Sequence, residues 1–202
     1  MTTATFSSAA ESFAALVHEI PSNAWDRPGL GAWDVRSLVG HTSRSLITVR
    51  NYLQNTAERV DITAPEQYYV QVTASALGID PADVEERGRQ AGSELGDDPP
   101  AAVDRLVSEV TGALAAAGDP VITVIGGLGI RLHTYLPTRT FELAVHGLDI
   151  AGAVGIPFQM PAAVLAEALD LASRIAVLTG HGESLLLALT GRAALPAGFS
   201  VV

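Results

Sequence analysis

The chain has 202 residues, with 22 Asp and Glu against 12 basic residues, every one of them Arg, and a formal net charge of −10. That length suffices for one compact domain with a sizeable core, and 48% hydrophobic with 17% charged residues excludes a disordered chain or a coiled-coil rod. Scattered arginines in an acidic chain offer no basic patch for a phosphate backbone and no attraction to anionic lipid, so neither nucleic acid nor a membrane is expected as a partner.

Cysteine is absent. This removes disulfides, thiolate-liganded zinc and a cysteine nucleophile together, so any thiol chemistry would need a thiol from outside. Met1 to Ala10 carries neither a basic nor an apolar segment of the signal-peptide kind. The mean hydropathy of +0.29 comes from Ala and short apolar runs, each well short of the roughly 18 residues a membrane span needs. A cytoplasmic location is the expectation.

Apolar residues recur at Phe6, Ala9, Ala10, Phe13, Leu16, Val17 and Ile20, the helical period, before Pro21 and Ser22 stop it. Pro28 to Trp33 is a loop by its Gly and Pro content, and Asp34 is placed to cap a long helix running to about Glu58. Its seam is Val35, Val39, Thr42, Leu46, Val49 and Leu53. A helix is expected over Pro65 to Leu77, another after Asp80-Pro81, and a third from Ala101 to Ala117. Val121 to Ile125 is β-branched and bounded by Asp119-Pro120 and Gly126-Gly127, which predicts a short strand, with a turn or hairpin over 121–135. Helical patterning returns from Pro137 to Val154, and Pro161 opens a long helix that Gly180 closes. The expected class is all-α, an antiparallel four-helix bundle with extra short helices, within a single domain over 1–202.

The chemistry concentrates in one narrow stripe. Arg139, Glu142, His146 and Asp149 fall within roughly 80° of one another on a helical wheel, flanked by Phe141 and Val145 on one side and Leu143 and Ile150 on the other. A solvated face is wider and mixes more charges, so this column reads as polar groups aimed into the bundle. Charges placed there must be paired, hydrogen-bonded or metal-bound. Glu142 and His146, four residues apart, can reach one ion, and His41 on the Asp34 helix is the candidate third ligand. On spacing alone a surface ion pair at 142 and 146, a solvated His41 and an Arg139–Glu142 helix pair stay open as readings. Gly126-Gly127-Leu128-Gly129 lacks the last glycine of a nucleotide-binding loop and meets Pro137 instead of opening a helix, so a turn is expected there. His18 and His133 show no evident partner, His181 falls at a helix end, and Trp25 and Trp33 bracket the loop before His41 as its anchors, or as a pocket wall.

Two segments carry a resemblance. Trp33-Asp34-Val35-Arg36-Ser37-Leu38-Val39-Gly40-His41 resembles the W-x-V-R-D-L-x-x-H signature of the mycothiol-dependent maleylpyruvate isomerase family, within the DinB-like superfamily. Pro137 to Asp149 resembles its second signature, R-x-x-E-x-x-x-H-x-x-D. Ser37 stands where the family often has Asp, and Thr42 where Leu is common; neither removes a ligand. The resemblance implies the family's N-terminal metal-binding bundle, with a divalent metal, usually zinc, on His41, Glu142 and His146. Arg139 and Asp149 match motif positions that would orient those ligands or balance their charge. With only about twenty residues after Gly180, the family's separate C-terminal domain is expected to be absent. The function expected is a transferase or isomerase-like enzyme in which the metal activates a low-molecular-weight thiol, mycothiol or its like, for attack on a small electrophile. A hydrolase using metal-activated water, and a non-catalytic metal- or small-molecule-binding bundle, are the alternatives. A homodimer through an apolar bundle face is compatible with the pattern.

Overall fold

The computed structural model describes residues 2–72, 78 and 80–202. Among these, eight α-helices, one single-turn 3-10 helix at Ile125–Gly127 and one two-stranded hairpin account for the regular structure. Four long helices, α1 (Thr2–His18), α2 (Val35–Tyr52), α5 (Pro99–Ala117) and α6 (Leu132–Val154), close a ring in which α1 packs on α5 and α6, and α2 on the same two. The ring encloses the core: Phe6 and Phe13 from α1, Leu38 and Leu46 from α2, Val103 and Val110 from α5, and Tyr135, Leu136, Leu143 and Ile150 from α6 are all buried. Buried hydroxyls return their hydrogen bonds to the preceding turn, as Thr42 does to the Leu38 carbonyl at 2.7 Å and Ser43 to that of Val39 at 2.8 Å. No helix among the described residues is long and apolar enough to cross a membrane.

The helix starts follow capping chemistry. Asp34 accepts the Ser37 amide at 2.7 Å, Asp80 that of Ala82 at 2.8 Å, and Asp98 that of Ala101 at 3.2 Å, each answering an amide that has no helical carbonyl to reach. α5 therefore begins at Pro99, with its two prolines in the first turn, not at Ala101. α4 (Pro81–Glu94) lies outside the ring against α2. The two backbones meet at glycines: a Cβ on Gly40 would overlap the backbone nitrogen of Gly92, and one on Gly92 would lie 2.8 Å from the Arg36 carbonyl. Gly40 immediately precedes His41, so this contact fixes the height of the histidine on the bundle.

Several boundaries differ from the sequence expectation. α2 stops at Tyr52, and the chain to Glu58 leaves the helix to pair beside the hairpin, with the Ala57 amide on the Val121 carbonyl at 2.9 Å. α3 ends at Gln71; the rest of the helix expected to Leu77 falls at 73–77, outside the described residues. α6 starts at Leu132, so Pro137 lies inside it. Proline there merely withholds one amide from the His133 carbonyl, early enough in the helix for the following turns to continue. β1 (Val121–Thr123) pairs antiparallel with β2 (Gly129–Arg131), and the Gly-rich segment between them is a turn. α7 (Ala162–Leu178) packs on α6 and α1, α3 (Pro65–Gln71) on α6 and α7, and α8 (Gly182–Leu189), which no sequence pattern announces, on α7.

Candidate metal centre

α2 and α6 are neighbours in the ring, and each turns polar side chains toward the other. His41 projects from the second turn of α2; Glu142 and His146 project from successive turns of α6. One donor atom from each of the three lies within 4.8 Å of the others. His146 Nε2 is 3.3 Å from Glu142 Oε2, and the His41 and His146 rings meet edge to face with centroids 5.0 Å apart. Ligand bonds of zinc-like length at a tetrahedral angle set neighbouring donors roughly 3.4 Å apart, so the Nε2–Oε2 pair already has the spacing of a coordination edge. The side chains of His146 and Glu142 keep 15% and 22% of their surface exposed. The centre therefore opens at the edge of the core, and is not sealed within a dry interior.

The remaining polar atoms of Glu142 and His146 are held by the protein. His146 Nδ1 is 3.0 Å from Asp149 Oδ2, so Nδ1 carries a proton and Nε2 is the nitrogen turned toward Glu142. The Tyr69 hydroxyl, from α3, lies 2.9 Å from Glu142 Oε1 and 3.0 Å from the Thr138 carbonyl. Burial and the Glu142 charge hold that phenol well above its ordinary pKa, so it acts as a donor. Trp33, at the end of the loop before the α2 cap Asp34, lies against His41 with ring centroids 4.3 Å apart and planes 32° from parallel. Its indole N–H donates to the Glu85 carbonyl of α4 at 2.9 Å, and the close approach of α4 is possible because residue 88 is Gly, where a Cβ would sit 2.6 Å from the indole.

The electrostatics match these contacts. Burial, reinforced by the neighbouring His146, pulls the His41 pKa down to about 4, so its imidazole is neutral at pH 7. Burial would raise Glu142, but the His146 hydrogen bond and the Arg139 charge outweigh it and draw the carboxyl down to about 2. His146 is pushed the other way: burial lowers it, yet the hydrogen bonds to Asp149 and Glu142 raise it to about 9. The site thus presents one neutral imidazole, one carboxylate and one imidazolium whose proton occupies the place a cation can take.

A model of the mycothiol maleylpyruvate isomerase N-terminal domain matches residues 6–151, which spans α1 through most of α6. The chain belongs to this family. Comparison with curated proteins and with solved structures gives no match. The matched range takes in the segments that carry His41, Glu142 and His146.

Asp149 contacts His146, whereas Arg139 makes no ion pair with Glu142 among the described residues. Its guanidinium lies over the Tyr68 and Tyr135 rings, 5.2 and 5.0 Å from their centroids, with Nε on Thr138 Oγ1 at 3.0 Å. Trp33 both anchors its loop and touches His41, while Trp25 packs under the Arg36 guanidinium 5.5 Å away. Tyr69 was not singled out by sequence: it sits in a seven-residue helix with no chemical spacing to mark it. The other histidines lie elsewhere and do have neighbours. His18 meets Asp104 at 2.9 Å, His133 is 3.7 Å from Asp119, and His181 precedes α8 with its ring against Phe199.

Proposed function

We propose that the chain is a metal-dependent thiol transferase, or an isomerase-like relative, that presents an external low-molecular-weight thiol of the mycothiol type to a small electrophile. The observation that carries this reading is the largely buried triad of His41, Glu142 and His146, open at one edge and drawn from two facing helices. Asp149 is engaged at His146 Nδ1 and is not aimed at the triad's centre. Three protein ligands, with no fourth side chain closing the set among the described residues, are the pattern of catalytic and not structural zinc. The ion expected there is zinc.

A divalent ion on these residues would supply a Lewis acid that lowers the pKa of a bound thiol, so that the sulfur is a thiolate at neutral pH. The chain's own side chains do the rest. Glu142 contributes one negative charge, which leaves the centre with about +1 and favours an anionic incoming group. Asp149 fixes the His146 tautomer, and Trp33 fixes the His41 ring. With no cysteine in the chain, the nucleophile is a co-substrate: its S–H proton is lost to solvent, a sulfur–carbon bond forms, and the electrophile's displaced electron pair leaves with its leaving group.

The test is to load the protein with Co2+ and add mycothiol or glutathione. A near-ultraviolet thiolate-to-cobalt absorption, together with thiol-dependent consumption of an electrophile panel, is the expected result. Turnover of esters or amides without thiol would replace this reading with water activation; neither absorption nor turnover would leave a metal-binding module.

A further inference from the structure

The two oxygens of Glu142 have different surroundings. Oε2 faces His146 Nε2 at 3.3 Å and belongs to the donor cluster. Oε1 faces away, to the Tyr69 hydroxyl at 2.9 Å. That hydroxyl has one proton and two acceptors within reach, the carboxylate and the Thr138 carbonyl. An ionised carboxylate is the stronger acceptor, and the carbonyl already serves the helix, so the proton goes to Oε1. The phenol is not free to swing aside. Its ring meets Phe141 at 5.5 Å and 73°, and Tyr68 at 5.8 Å and 80°, edge-to-face contacts from two helices.

A carboxylate can bind a cation through one oxygen or both, and in a three-residue centre the second oxygen would add a fifth ligand beside the solvent and crowd the position an incoming thiol needs. Resting on the metal reading above, we infer that Tyr69 is a positioning residue that holds Glu142 as a one-oxygen ligand and thereby keeps a coordination position open. Tyr69 comes from α3, a separate element from the two that carry the donors, so the openness of the centre depends on how α3 packs against α6.

The experiment compares the Co2+ forms of the parent and Tyr69→Phe. Four-coordinate Co2+ absorbs visible light several times more strongly than five-coordinate Co2+. Tyr69→Phe should therefore lose about half or more of its visible extinction, and bind Co2+ about tenfold more weakly. In a Glu142→Ala background the same change should alter affinity by less than about twofold, because Tyr69 then has no carboxylate to act on. An unchanged spectrum and affinity in Tyr69→Phe overturns the inference, and so does an equal loss of affinity in the Glu142→Ala background. Should Tyr69→Phe fail to fold, the infrared carboxylate stretches of the zinc-loaded parent decide. A wider symmetric–antisymmetric separation than in the metal-free protein supports one-oxygen binding, and a narrower one overturns it. A parent protein that takes up no Co2+ at all sinks the metal reading itself and Tyr69 with it; uptake with an unaltered Tyr69→Phe spectrum sinks the positioning role alone.

Discussion

The indole of Trp33 lies 4.3 Å, centre to centre, from the imidazole of His41, and its N–H is tied to the Glu85 carbonyl. The first signature segment thus begins and ends on two rings that touch, with the α2 N-cap between them. Trp33→Leu removes both the stacking surface and the tie to α4, leaving His41 free to change rotamer. Zinc affinity should fall about tenfold, measured by competition with a chromogenic chelator, while circular dichroism keeps its helical signal. Unchanged affinity would show that the ring contact is incidental.

Protons and metal compete at His146. Its pKa is raised to about 9, so in the metal-free protein at pH 7 it is an imidazolium, whereas His41, lowered to about 4, is already neutral and Glu142, at about 2, already ionised. Binding one cation at pH 7 must therefore expel one proton. Zinc affinity should rise about tenfold per pH unit from pH 7 and flatten as pH passes about 9. Calorimetry in buffers of different ionisation enthalpy should count one proton released per ion. A pH-independent affinity over that range would contradict the assignment of His146.

Asp149→Asn tests the contact that fixes the His146 tautomer. An amide in that place no longer compels the proton to stay on Nδ1, so above about pH 9, where His146 is neutral with or without Asp149, the fraction offering a lone pair at Nε2 falls. The expected cost is about 10- to 100-fold in zinc affinity with little change in thermal unfolding of the metal-free protein. Competition titration reads the first and calorimetric melting the second.

The α2–α4 crossing makes a separate prediction about the scaffold. Gly40→Ala must push the two backbones apart, at a cost of about 3 kcal/mol or more, since backbone cannot yield as a side chain can. Gly112, exposed on α5 with nothing within 4 Å of its Cβ position, is the control. Gly112→Ala should stabilise by up to about 1 kcal/mol through helix propensity alone. Urea unfolding of both variants checks the pair, and an innocuous Gly40→Ala would refute the close packing.

What sequence could and could not reveal follows from the range of each interaction. Glu142, His146 and Asp149 were legible because helical spacing puts them in one column, and Phe6, Phe13, Val39 and Leu46 because apolar periodicity marks a buried face. His41 needed the resemblance: nothing local ties position 41 to position 142, and their meeting is a consequence of α2 packing on α6. Tyr69 and the Tyr68–Arg139–Tyr135 stack escaped for the same reason, being contacts between elements with no periodic signature. Pro137 misled because a proline reads as a helix start, while here the helix begins five residues earlier at Leu132 and tolerates it. At Tyr52 the end of α2 was invisible because the pull comes from the hairpin, whose strand takes up the chain at Asn55 and Ala57.

Metal analysis of the purified protein after zinc is supplied and excess removed by dialysis, run beside His41→Ala, tests the central claim most directly. The parent should hold one ion per chain and His41→Ala none, with the helical fold retained. A parent chain that holds no zinc, or a His41→Ala variant that holds it as tightly as the parent, would contradict it.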